Sequence, residues 1–300
     1  MIYNSKSEGN IMLHSSSTGY LEKKFGLVKA VEMLIEAGYP AIDISMFNET
    51  YEAVGDNYLE VAKKVREITD KAGVRCIQAH APFGGGYEKY TTTLLPLMPR
   101  AFEFCSIVGI KNIVVHPIQK GRYYGREKEL FELNVNFYRE LAPIAKKFGV
   151  KIAIENMWQR HPVNKNIVDD VLAPPEELAA MYDALGDPET FTVCLDLGHV
   201  GLCEREPEDA VRIIGSRIGC IHAHDVDYRD DLHTLPGVGR LNWKNICEAL
   251  AEVGFNGSFN LEADNFIVGF LDSQLTTALK FMSDIAGSMA SEIEALKAGN

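Results

Sequence analysis

The chain has 300 residues, 46% hydrophobic and 24% charged, which is enough apolar material for one large core. Its formal net charge of −12 repels phosphate backbones and argues against nucleic acid as a partner. No run of 18 apolar residues marks a transmembrane helix, and the first ten residues lack the basic-then-apolar pattern of a secretory signal.

Along the chain, short β-rich runs alternate with longer helical patterns about eight times. Such alternation implies βα units and a parallel sheet. The first run covers 11–13 and leads into His14, followed by a helix over 25–37 that stops at Gly38. Strand 41–46 precedes helix 57–72 and Gly73; strand 75–79 precedes His80, a glycine triplet at 84–86, helix 97–108 and Gly109. Strand 112–115 leads to His116 and a long helix over 126–148, ending at Gly149. Strand 151–154 leads to Glu155 and helix 175–185, and strand 191–195 to Asp196 and helix 207–214. Strand 218–221 leads to His222 and helix 243–253, and strand 258–261 to Glu262. A C-terminal helical segment with a break runs from about 271 to 298. Five of the helices stop at a glycine just ahead of the next strand, the usual signal for a helix C-terminus. The expected architecture is a (β/α)8 barrel, one domain spanning 1–300. An open doubly wound sheet would call for G-x-G-x-x-G after the first strand, and the chain has none there. The six cysteines, Cys76, Cys105, Cys194, Cys203, Cys220 and Cys247, are scattered without a C-x-x-C pair. They read as reduced core residues of a cytoplasmic protein.

In such a barrel the active site lies at the C-terminal ends of the strands. Those ends carry His14, His80, His116, Glu155, Asp196, His222 and Glu262, whereas Asp43 lies inside its strand and is set aside. Three carboxylates and an imidazole, Glu155, Asp196, Glu262 and His222, make a hard, mostly oxygen site. It suits Mn²⁺ first, then Mg²⁺ or Co²⁺, with Zn²⁺ if further histidines join. His199 in DLGH and the pair Asp231 and His233 are candidates for a further metal or for substrate, as are His80 and His116. For each, the plain alternative is a loop cap or a hydrogen-bonded core histidine. His224 and Asp225 read as residues that orient His222 or its loop. His161, Arg229 and Trp158 are placed to meet a substrate, and Tyr20, Phe47 and Phe83 to wall the pocket.

IAIEN at 152–156, VCLDLGH at 193–199, IHAHD with DLHTLPGVGRLNW between 221 and 243, and GFNGSFNLEAD at 254–264 together resemble the xylose-isomerase-like TIM-barrel superfamily. That group includes sugar isomerases and epimerases and endonuclease-IV-type AP endonucleases. The resemblance implies one divalent ion on Glu155, Asp196, His222 and Glu262. It implies Glu155 and Glu262 as the pair that removes and returns a proton through an enediolate, and His199 as a substrate contact. A second substrate-contacting glutamate of the epimerases, six residues beyond the metal glutamate, is His161 here, which leaves the exact substrate open. The implied substrate is a sugar or small keto-polyol, and the implied assembly a homo-oligomer. The endonuclease branch gives the alternative. Its nine zinc ligands match His80, His116, Glu155, Asp196, His199, His222, Asp231, His233 and Glu262, so a zinc phosphodiesterase fits the residues as well. A lyase or dehydratase on the same metal scaffold is the third reading.

Overall fold

The structure is a computed structural model and describes residues 12–299. Its strands are β1 (His14–Ser16), β2 (Ala41–Ser45), β3 (Arg75–His80), β4 (Asn112–Val115), β5 (Lys151–Glu155), β6 (Trp158–Arg160), β7 (Ile167–Asp169), β8 (Phe191–Asp196), β9 (Ile218–His222) and β10 (Phe259–Leu261). All but β6 and β7 pair in parallel, in the order β2-β3-β4-β5-β8-β9, with β1 beside β10. Parallel bridges Ser17 to Asp43 and Ala223 to Leu261 join the two sheets at both edges. The eight parallel strands therefore close into a (β/α)8 TIM barrel.

The strands are buried on both faces because both are covered, as in parallel sheets generally. Small side chains, Val114, Ala153, Cys194 and Cys220, pack together as a separate buried cluster. A buried polar layer crosses the barrel beside them. There Asp43 Oδ2 accepts from Gln78 at 3.1 Å and Asn260 at 2.7 Å, and Ser15 donates to Asn260 at 2.6 Å. The helices ring the outside with their apolar stripes inward. Tyr58–Ala72, for example, buries Ala62 and Val65 and turns its lysines and glutamates to water. Each large apolar side chain buried this way contributes roughly 1.5–3 kcal/mol. Helix Tyr58–Ala72 ends at Gly73, whose φ of 69° is the left-handed value that glycine adopts without a Cβ penalty.

The structure departs from the sequence expectations in five places. The first strand begins at His14 and not at 11, and residue 11 lies outside the described residues. His14 is therefore no strand exit; its Nε2 meets Ser283 Oγ at 3.0 Å on the C-terminal helix. The expected helix 25–37 is two helices, Gly19–Phe25 and Leu27–Glu36, divided at Gly26 where φ is 83°. The C-terminal helix Leu275–Gly299 is unbroken. Among the elements not expected are the helix Leu197–Leu202 directly after β8 and the antiparallel hairpin β6–β7 after β5. All six cysteines are buried and unpaired, and no helix among the described residues is long and apolar enough to cross a membrane.

Candidate active site

The barrel gathers the strand-end residues at its C-terminal mouth. Glu155 ends β5, Asp196 ends β8, His222 ends β9, and Glu262 follows β10. One ligand-type atom from each of these four lies within 4.8 Å of the other three, and all four residues are buried. His222 Nδ1 is the centre. It stands 2.7 Å from Glu155 Oε1, 3.0 Å from Glu262 Oε2 and 3.7 Å from Asp196 Oδ2.

Two further groups adjoin this quartet. His80 and His116 approach Glu155 from β3 and from the end of β4. His116 Nε2 lies 2.8 Å from Glu155 Oε2, and the two histidines face each other through Nε2 at 3.0 Å. Phe47 and Phe83 form an apolar wall beside them, their ring centroids 5.3 Å and 4.8 Å from that of His80. On the other side His199, His224, Asp231 and His233 form a second four-residue group. His233 Nε2 is 3.2 Å and His199 Nε2 3.8 Å from Asp231 Oδ2, and the rings of His224 and His233 stack at 4.1 Å.

Asp196 ties the two four-residue groups together. Its carboxylate accepts from His224 Nε2 at 3.0 Å, and its Oδ1 also caps the helix Leu197–Leu202 through the His199 N–H at 2.7 Å. Gly198 makes this approach possible: a Cβ there would sit 2.0 Å from His224 Cε1. Asn156 clamps the strand end by accepting from the Asp196 N–H at 2.8 Å and donating to its carbonyl at 3.0 Å.

The protonation of the cluster follows from its crowding. Burial alone would raise the Glu155 carboxyl, but His222 and His116 outweigh burial and hold it well below the usual range. Glu262 is likewise pushed up by burial and drawn down further by His222 and His233. Burial opposes a charge on His199, yet Asp196 and Asp231 raise it to about 10; His233 is raised to about 10 against burial by Asp231 and Glu262. Three buried carboxylates around one imidazole thus demand positive charge.

The donor set fits a divalent cation. His80, His199 and His233 each fix Nδ1 on a backbone carbonyl, of Ala81, Asn156 and Glu262 respectively, all at 2.9 Å. That anchoring turns Nε2 inward, the arrangement that orients metal-binding histidines. Glu155 Oε2, His224 Nδ1 and Asp231 Oδ1 are buried with no aligned hydrogen-bond partner, although such atoms are nearly always satisfied.

A family model described as xylose isomerase-like TIM barrel matches residues 31–285. The chain belongs to the xylose isomerase-like TIM barrel family. Among its relatives, the D-psicose 3-epimerase of Ruminiclostridium cellulolyticum is 29% identical over 132 residues, 44% of this chain and 41% of that protein. The inosose isomerase of Halalkalibacterium halodurans is 24% identical over 248 residues, 79% of this chain and 82% of that protein. The fold matches that of a D-tagatose 3-epimerase-like protein with a TM-score of 0.73 and 21% identity, covering 96% of this chain and 99% of that one. It also matches the IOLI protein, solved with a zinc atom, with a TM-score of 0.71 and 18% identity, covering 93% and 98%.

In this xylose isomerase-like barrel not every expected residue reaches the cluster. Trp158 is half-buried on β6, its ring centroid 6.3 Å from that of His199. His161 instead lies in the hairpin turn, where its Nδ1 accepts from the N–H groups of Val163 and Asn164 at 3.3 and 3.4 Å. Arg229 is exposed, and only its backbone N–H is engaged, by Asp227. Conversely, His224 joins the second group, a role that two-residue alternation from His222 would have signalled. Asn156, within IAIEN, has no role that its sequence context assigns: nothing in a single sequence separates a clamping asparagine from a turn asparagine.

Proposed function

We propose that the protein is a divalent-metal-dependent isomerase or epimerase acting on a sugar or a small keto-polyol. The observation that carries this reading is the pair of carboxylates on either side of His222 Nδ1, Glu155 at 2.7 Å and Glu262 at 3.0 Å. They come from strands on opposite sides of β8 and β9 and enclose one position between them. The names of the relatives, a ketose epimerase and an inosose isomerase, support the substrate class. Glu155, Asp196, His222 and Glu262 would hold the ion, Mn²⁺ before Mg²⁺, Co²⁺ or Zn²⁺ given three oxygen donors. A divalent ion held there would supply Lewis acidity to a bound carbonyl. Of Glu155 and Glu262, one would take the proton from the carbon beside that carbonyl, and the other, after taking up a proton from solvent, would return it to the opposite face or to the neighbouring carbon. Phe47 and Phe83 would wall the mouth beside His80.

The second reading, a multi-zinc phosphodiesterase, is favoured by the gathering of all nine matched residues into three adjoining groups around Glu155 and Asp196. In that reading His80 and His116 with Glu155, and His199, Asp231 and His233 with His224, hold further ions. Metal analysis of the purified protein, paired with solvent-deuterium exchange into ketohexoses and inososes, separates the two. One ion per chain with exchange at a carbon beside the carbonyl is the expected result. Three zincs with cleavage of abasic-site DNA and no sugar exchange would replace the isomerase.

A further inference from the structure

The loop over 226–242 carries Asp231 and His233, yet it contains no helix and no strand of its own. A loop of that length is normally mobile. What fixes it is one buried carboxylate at its base. Asp225 is fully buried and accepts four hydrogen bonds, all from N–H donors. Oδ1 takes the backbone N–H of Val226 and of Leu241, both at 3.0 Å; Oδ2 takes the Gly237 N–H and the Trp243 indole N–H, both at 2.8 Å. The two ends of the loop are thus fastened to the same side chain. Gly239 leaves the room: a Cβ there would lie 2.4 Å from Asp225 Oδ1 and 2.5 Å from the Val226 carbonyl.

The Asp225 backbone extends the clamp to the neighbour of His233. Its N–H donates to the Thr234 carbonyl at 2.8 Å. His233 beside it has φ of 41°, a left-handed conformation a histidine adopts only under constraint. In that conformation its Nδ1 meets the Glu262 carbonyl and its Nε2 faces Asp231.

We propose that Asp225 is a positioning residue: its carboxylate makes the loop 226–242 a fixed wall of the site and sets where Asp231 and His233 stand against Glu262. The carboxylate is specifically required. Asparagine would offer one acceptor oxygen and turn its NH₂ group against N–H donors, so the isostere fails where shape alone would succeed. The consequence for turnover rests on the isomerase reading; the consequence for the loop does not.

The test uses the full chain with three substitutions. Asp225→Asn and Gly239→Ala should act alike, the second by driving the carboxylate off its partners. Both should speed amide exchange at Val226, Gly237 and Leu241 by about 100-fold or more, since hydrogen bonds to a charged acceptor are the strong ones. β8 and β9 should keep their protection. Carbon-proton exchange on a ketose should fall by about tenfold or more, because Asp231 and His233 lose their place against Glu262. Trp243→Phe, which removes one of four bonds, should change loop exchange by less than about tenfold. Unchanged loop exchange in Asp225→Asn, or faster exchange spread evenly over β8 and β9, would overturn the proposal. If the wild-type protein exchanges no sugar proton, the isomerase reading falls while the loop data still decide the role of Asp225.

Discussion

Glu155 meets three histidines and belongs to more than one of the groups at the barrel mouth, so a change there reports on the whole cluster. Its Oε1 faces His222 and its Oε2 faces His116 and His80. Glutamine at 155 or 262 keeps the volume and removes the charge. Each substitution is expected to lower carbon-proton exchange by about 10²–10⁴-fold, the usual contribution of a positioned acid or base. Metal content and sugar binding, measured on the same samples, should survive in part. Full turnover in both variants would remove the two-glutamate mechanism. The same pair of residues shows why a carboxylate at a strand end is informative. An ordinary strand end does not bury a charge, and a buried carboxylate without a cation is costly.

At the scale of elements, the helix Gly19–Phe25 carries a second kind of buried acid. Glu22 is buried, and its Oε1 accepts from the Glu52 N–H at 2.9 Å. Burial raises its carboxyl from 4.5 to about 8, with the Glu52 N–H working the other way. The folded state therefore holds this proton more tightly than the unfolded chain. The resulting stability is fully present below about pH 4.5 and is lost as the pH rises to about 8. Glu22→Gln keeps the neutral form at every pH. Its melting temperature relative to wild type should climb between pH 4.5 and pH 8 and level off above. A difference that does not depend on pH would show that Glu22 is ionised in the fold. The hairpin β6–β7 is a different case. Arg205 holds it with a fork to Asp169 at 2.6 and 2.8 Å, and Arg160 reaches Asp230 on the loop after β9 at 3.4 Å. It thereby links two loops that flank the same mouth.

For the molecule as a whole, metal loading, protonation and stability are one equilibrium. His199 and His233 are raised to about 10, so each carries a proton at neutral pH that a cation bound at its Nε2 would have to displace. Metal affinity should therefore rise between pH 6 and pH 8, with protons released on binding. Calorimetric titration with Mn²⁺ or Zn²⁺ in two buffers of different ionisation enthalpy measures both. An ion at a hundred times its dissociation constant should stabilise the fold by about 2.7 kcal/mol, and a chelator should reverse it. Binding independent of pH would mean that these imidazoles do not take part.

The chain's apolar periodicity, its eightfold alternation and its helix-ending glycines determined the barrel, because burial patterns and left-handed turns are local properties written residue by residue. The quartet was legible for a related reason: a His, Asp or Glu directly after a buried strand has only one end of the barrel to go to. His14 was misread because the strand starts three residues later than the apolar run suggests, and a shift of that size moves a side chain out of the mouth. His161 lies in a loop, as its sequence context implies, but the antiparallel hairpin that forms this loop is announced by no local signal. Only the tertiary structure decided what the stretch from His222 to Trp243 does. Its His and Asp residues look alike in sequence, but β9 sends His222 to the quartet, Asp196 draws His224 to the second group, and four converging N–H groups bury Asp225 at the root of the loop. Glu155, the partner of His222, lies 67 residues away and Asp196, the partner of His224, 28 away, and hydrogen bonds of that kind exist only once the barrel has closed.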